Sequence, residues 1–186
     1  MLEADGITLG VLADTHIPDR SPGLHPVLLE RFSKARVSAI LHAGDVSVPA
    51  VLSKLAEIAP IYAVRGNRDI FALRHLPAQQ ELTFGDISIG LVHGHGSLWD
   101  YIRDRLRYYL VGLREGAYRQ RALQRFAASR VVIFGHTHIP VNQWVNGQLL
   151  FNPGSACCPH RRSARPSAGL IYLRPGGDIA GEIFVF

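Results

Sequence analysis

The chain has 186 residues, 47% of them hydrophobic and 19% charged, enough for one domain that buries about 70% of its unfolded surface, which excludes a disordered or fibrous chain. Its net charge of +5 sits in one stretch: residues 97–130 carry eight arginines (103, 105, 107, 114, 119, 121, 125 and 130) against Asp100, Asp104 and Glu115, while the remainder is balanced, so any basic face belongs to that segment. The two cysteines, Cys157 and Cys158, are adjacent and too few for a secreted disulfide framework, and no uncharged apolar stretch reaches the ~18 residues of a membrane span, so a cytoplasmic protein is expected.

Residues 7–13 form an apolar run preceded by two acids and no base, unlike a signal peptide, and read as a first strand. Helical patterns follow at 26–35, with Val27, Leu28, Leu29 and Phe32, and at 49–58, with Val51, Leu52 and Leu55, each opened by a proline. Short apolar runs at 39–41 and 61–64 read as strands between and after them. This alternation predicts parallel βαβ units.

Beyond Gly85 the pattern changes. Residues 81–84 and 87–92 flank a Gly-Asp turn, 141–145 and 148–151 flank Asn146-Gly147, and 168–174 and 179–186 flank Pro-Gly-Gly, all hairpin signals. With 131–134 as a further strand, this half is expected to be strand-rich and antiparallel. Residues 97–130 stand apart, because Trp99, Ile102, Leu106, Leu110 and Leu113, then Tyr118, Leu123 and Phe126 after a break at Gly116, recur at helical spacing. They read as a helical hairpin inserted at about 97–130 into a single domain spanning 1–186, with sheet packed on sheet and helices outside.

Polar clusters cap five of the strands: Asp14-Thr15-His16, Gly44-Asp45, Gly66-Asn67-Arg68-Asp69, His93-Gly94-His95 and Gly135-His136-Thr137-His138. Strand carboxyl ends converge on one crevice in open α/β sheets. Carboxylate, imidazole and amide oxygen suit divalent first-row transition ions, and the neighbouring glycines permit sharp turns or close approach.

In this order D-x-H, G-D, G-N-x-D, H-G-H and G-H-x-H resemble the motifs of the calcineurin-like metallophosphoesterases, over Asp14 to Ser155. The likeness is to the small single-domain bacterial and archaeal phosphodiesterases, in which Asn-Pro-Gly-Ser, here Asn152 to Ser155, follows the last hairpin. The resemblance implies an α/β fold, a four-layer αββα sandwich of two mixed sheets. It also implies two divalent ions, Mn first with Ni, Zn, Fe or Mg as alternatives, held by Asp14, His16 and His138 and by Asn67, His93 and His136, with Asp45 bridging. Hydrolysis would then proceed by in-line attack of a hydroxide shared by the metals on a small phosphoester, Asp45 and Asn67 taking part in catalysis.

One departure bears on mechanism. Many larger relatives carry histidine directly after the motif asparagine, and this chain has Arg68, which cannot act as an acid but offers a fork for phosphate. His95 is a candidate proton donor or a supporting partner of a ligand; Asp69 is read as orienting His16 or a nearby loop, and His42 as core or support. His25, His75 and His160, and the loop with Cys157, Cys158, Arg161, Arg162 and Arg165, are read as structural or solvated. The apolar stripe of the insertion is expected to form a lid or a homodimer contact, ahead of nucleic-acid binding. The competing functions are a nuclease using that basic insertion and a non-catalytic protein-interaction scaffold of the same fold.

Overall fold

The computed structural model describes residues 6–112, 115–160 and 164–186, without the side chains of Leu98 and Val111. Leu113, Arg114, Arg161 and Arg162 therefore lie outside the described residues.

The first half alternates strand and helix: β1 (Ile7–Leu12), α1 (Pro26–Lys34), β2 (Ala39–His42), α2 (Pro49–Ala56) and β3 (Ile61–Ala63). Proline opens both helices, where its missing N–H costs no intrahelical bond. The second half comprises β4 (Gln79–Phe84), β5 (Ile87–Val92), α3 (Leu98–Val111), α4 (Glu115–Arg125), β6 (Val131–Ile133), β7 (Val141–Val145), β8 (Gln148–Asn152), β9 (Ser167–Leu173) and β10 (Ile179–Val185). No described helix is long and apolar enough to cross a membrane.

Two five-stranded sheets result, ordered β10-β9-β1-β2-β3 and β4-β5-β6-β8-β7. Period-two alternation builds the layers. Leu9 and Val11 of β1, Ile89 and Leu91 of β5, and Val131 and Ile133 of β6 meet between the sheets. On the outer face of the first sheet, Leu12 and Ile40 pack with Leu28 and Phe32 of α1 and Val51 and Leu55 of α2. On the outer face of the second, Val132, Phe134 and Leu150 pack with Tyr118, Ala122 and Phe126. Gly90 is required there, since a Cβ would overlap the Phe126 ring. The architecture is the αββα sandwich.

Two expectations change. The second half is mixed rather than antiparallel, because β5 pairs with β6, and β6 with β8, in parallel. The insertion turns at Gly112, not Gly116. Gly112 caps α3 at φ 79°, a conformation glycine adopts freely, whereas Gly116 lies in the first turn of α4, where N–H groups lack intrahelical partners anyway.

Candidate metal centre

All five polar clusters arrive at one place, and the backbone that carries them is unusual. Asp14, His16, Asp45, His136 and His138 have φ between 46° and 69°, a left-handed conformation costing an L-residue roughly 1–2 kcal/mol and concentrated at functional sites. Glycine makes the crowding workable: a Cβ on Gly66 would overlap the Asp45 carboxylate, and one on Gly44 would stand 2.8 Å from His93 Nδ1. Backbone bonds tie the loops together, Asp14 N–H donating to Gly44 O at 3.0 Å and Gly135 N–H to His93 O at 3.1 Å.

The seven side chains form two groups joined by a carboxylate. In one, Asp14 Oδ1 lies 3.3 Å from His138 Nε2 and 3.7 Å from His16 Nε2, with the two imidazole nitrogens 3.2 Å apart. In the other, Asn67 Oδ1 lies 3.1 Å from His93 Nε2 and 3.0 Å from His136 Nδ1. Asp45 stands between them, Oδ1 at 3.5 Å from His93 Nε2 and Oδ2 at 3.9 Å from His16 Nε2.

The imidazoles are held from behind, His93 Nδ1 against the Ala43 carbonyl at 2.7 Å and His138 Nδ1 against the Cys158 carbonyl, which turns Nε2 of each toward the cluster. Asp14 Oδ1 is buried and has no hydrogen-bond partner among the described residues. Its nearest neighbours of opposite charge are imidazole nitrogens at 3.3 and 3.7 Å, so a buried oxygen without a hydrogen bond, costly when charged, fits a metal cation as a further partner.

The electrostatics of the chain alone agree. Burial works to raise the pKa of both carboxylates, yet His138 and then His93 hold Asp14 below its ordinary value, and His93 does the same for Asp45. Burial opposes charge on His93 and His138 too, but Asp45 pushes His93 up to about 9 and Asp14 pushes His138 up to about 11. His136 goes the other way, pushed down to about 3 by burial and then by His93. Two ionised carboxylates thus face nitrogens able to exchange a proton for a metal ion.

A second ring of residues fixes the loops. Asp69 accepts from the N–H groups of Val46 at 3.2 Å, Ser47 at 2.8 Å and Gly66 at 2.8 Å, so it joins the loops after β2 and β3 rather than orienting His16. His42, pushed down to about 4 by burial, accepts from Gly44 N–H at 3.2 Å and meets Thr15 Oγ1 at 3.2 Å. Ser155 Oγ donates to Asp14 O at 2.9 Å, and Asn152 Nδ2 to Gly135 O at 3.0 Å. The roles of Thr15 and of the Cys158 carbonyl are not legible in the sequence: a hydroxyl between two metal-type donors has no pattern of its own, and a backbone oxygen leaves no side-chain signal.

A cleft of about 660 Å³ opens on the cluster, lined by His16, Asp45, Asn67, Arg68, Tyr101 and Arg105 among others. Arg68 thus faces the cleft while its N–H donates to Asp45 Oδ1 at 2.8 Å. His95 lines neither this cleft nor the cavity of about 390 Å³ beside it; it packs against His93 and His136, with ring centres 5.4 and 6.2 Å away.

A calcineurin-like phosphoesterase superfamily domain matches residues 7–175. A probable metallophosphoesterase of Methanocaldococcus jannaschii is 36% identical over 81% of this chain and 69% of its own length. A phosphodiesterase of the same organism is 26% identical over 80% of this chain and 84% of its own length. Among solved structures, wild-type Vps29 of Entamoeba histolytica complexed with Zn²⁺ superimposes with a TM-score of 0.66 at 25% identity, over 96% of this chain and 99% of that one.

Proposed function

The chain belongs to the calcineurin-like phosphoesterase superfamily, and from that premise we propose that it is a metal-dependent phosphodiesterase with a dinuclear centre. The observation that carries this reading is the gathering of seven donor side chains in one cluster that includes the buried Asp14 Oδ1, an oxygen without a hydrogen-bond partner among the described residues. Asp14, His16 and His138 would hold one divalent ion, Asn67, His93 and His136 the other, and Asp45 both. Oxygen and nitrogen donors suit Mn first, and Fe, Ni, Zn or Mg as alternatives. Such a pair, when bound, supplies Lewis acidity toward phosphoryl oxygens and an acidified water.

The chain's own residues supply the rest. Arg68 presents an always-charged fork to the cleft, suited to holding a phosphate oxygen and offsetting charge that builds in the transition state. His95 lines neither cavity and packs against His93 and His136, a placement that suits a supporting partner of those ligands rather than a proton donor. Asn67 joins the two histidines of its group through one amide oxygen.

The scaffold alternative draws on the Vps29 likeness and on the exposed apolar side chains of α3, Trp99, Leu106 and Leu110. Against it, every position of the seven-residue set carries a donor. Because that Vps29 structure itself contains Zn²⁺, metal content alone does not separate the two readings, and turnover does. The nuclease alternative is weaker, since Arg103, Arg119 and Arg121 of the insertion already pair with carboxylates.

The test is metal-stripped protein assayed on bis(p-nitrophenyl) phosphate and on p-nitrophenyl phosphate, with Mn, Ni, Zn or Mg restored. The expected result is diester hydrolysis abolished by EDTA, restored by Mn and largely lost in Asp45→Asn. Equal activity in the stripped protein, or no turnover with any ion, rejects the reading.

A further inference from the structure

The cavity beside the metal cluster differs in character from the cleft above it. The two share Arg20, Tyr101, Arg105, His136 and His138 as lining residues, so the second cavity adjoins the space in front of the cluster. There the walls become aromatic: Tyr108 and Tyr109 of α3 and Tyr118 of α4 line it, together with Cys158 and His160. The aromatic surface begins at the cluster itself, with the Tyr118 ring 5.1 Å and the Tyr101 ring 6.4 Å from the His136 ring.

The charges are equally selective. Asp104 is the one carboxylate among the described lining residues of this cavity, and Arg121 neutralises it at 2.8 Å. Arg20 and Arg105 have no carboxylate within 4.0 Å among the described residues; Arg105 Nη1 donates instead to the Tyr101 hydroxyl at 3.0 Å, and Arg20 Nη1 approaches Cys158 Sγ at 3.6 Å. Arg68, which lines the cleft but not the second cavity, is likewise without an ion-paired carboxylate among the described residues. A single phosphoryl group facing two cations and Arg68 leaves Arg20 and Arg105 without a ligand charge to meet.

We infer that α3 and α4 build a nucleoside subsite, so that the diester this centre cleaves is a small nucleotide ester whose base lies among Tyr101, Tyr108 and Tyr109 and whose further negative charge meets Arg20 and Arg105. The inference rests on the phosphodiesterase reading and gives it a substrate class. Planar bases stack on tyrosine rings whatever their sequence, and guanidinium forks recognise phosphate. A simple alkyl arm would use neither, and a lipid tail would leave guanidinium groups against hydrocarbon, where charge is costly. A volume of about 390 Å³ falls within the usual range of small-ligand sites.

The experiment compares two esters with the same leaving group, thymidine 5′-(p-nitrophenyl phosphate) and methyl p-nitrophenyl phosphate, on the Mn-loaded protein. The nucleoside ester is expected to have a kcat/KM higher by about tenfold or more, in line with base–aromatic stacking, and Tyr101→Ala should bring that ratio close to one. Equal values for the two esters in the unaltered protein overturn the inference. A second readout, calorimetric titration of metal-stripped protein with thymidine 5′-monophosphate, separates this inference from the reading beneath it. If neither ester turns over, the phosphodiesterase reading fails, while saturable nucleotide binding weakened severalfold by Arg105→Ala still supports the subsite. Absent binding, or binding that Arg105→Ala leaves unchanged, overturns it. Tighter binding of oligothymidylate than of the mononucleotide, falling steeply with salt, overturns the assignment to a small nucleotide.

Discussion

The strand-end loops and the helical insertion flank the same cleft and are built on opposite terms. The loops are buried, with Asp14, His42 and His93 fully shielded from solvent, and backbone hydrogen bonds tie them to one another. The insertion leaves large apolar side chains outside, Trp99 79%, Leu106 62% and Leu110 82% exposed, and its ion pairs are mostly local, such as Arg103–Asp100 and Arg119–Glu115. A rigid donor set suits invariant chemistry, because ligands must be held against their own strain. A helical pair that contributes few buried contacts is free to change what it recognises.

That contrast can be broken most severely at Gly66. Any Cβ there meets Asp45, so Gly66→Ala should abolish Mn-dependent hydrolysis almost as completely as Asp45→Asn, with metal content per chain falling in parallel. Retained activity would show that the loops are more pliant than their geometry implies. Next comes Asp69→Asn, which keeps the shape and weakens the acceptor for three N–H groups. Loss of such a supporting contact typically costs 10–100-fold in metal affinity, and a competition titration with a chelating dye should find about that much.

Where the two regions meet, the effect should fall on stability instead. Phe126 is 1% exposed and packs under Gly90, so Phe126→Ala should cost about 3–5 kcal/mol by urea unfolding, with metal stoichiometry unchanged at low urea. The smallest effect is expected at Leu110→Ser on the outer face of α3, within about 0.5 kcal/mol. Should that substitution also shift the elution volume, the apolar face is a contact between copies rather than free surface.

The sequence disclosed these regions unequally. Strands ending in glycine-flanked polar clusters were legible because a buried strand needs a continuous apolar run, and Ile7–Leu12 and Val131–Ile133 carry one. The start of β4 was not: Gln79 and Gln80 lie on the edge of their sheet, where polar residues are tolerated and periodicity fades. The seven donors could be named from their motifs, but the carbonyl of Cys158 behind His138 and the bonds of Asp69 to three N–H groups depend on tertiary placement. In the insertion two glycines competed for the turn, and only backbone geometry, φ 79° at Gly112, decided between them.

The claim on which the account stands is that the donors form two adjoining cation sites sharing Asp45. Anomalous scattering from crystals soaked in Mn should show two peaks per chain, one among Asp14, His16 and His138 and one among Asn67, His93 and His136, both beside Asp45. A single peak, or peaks away from these side chains, would contradict it.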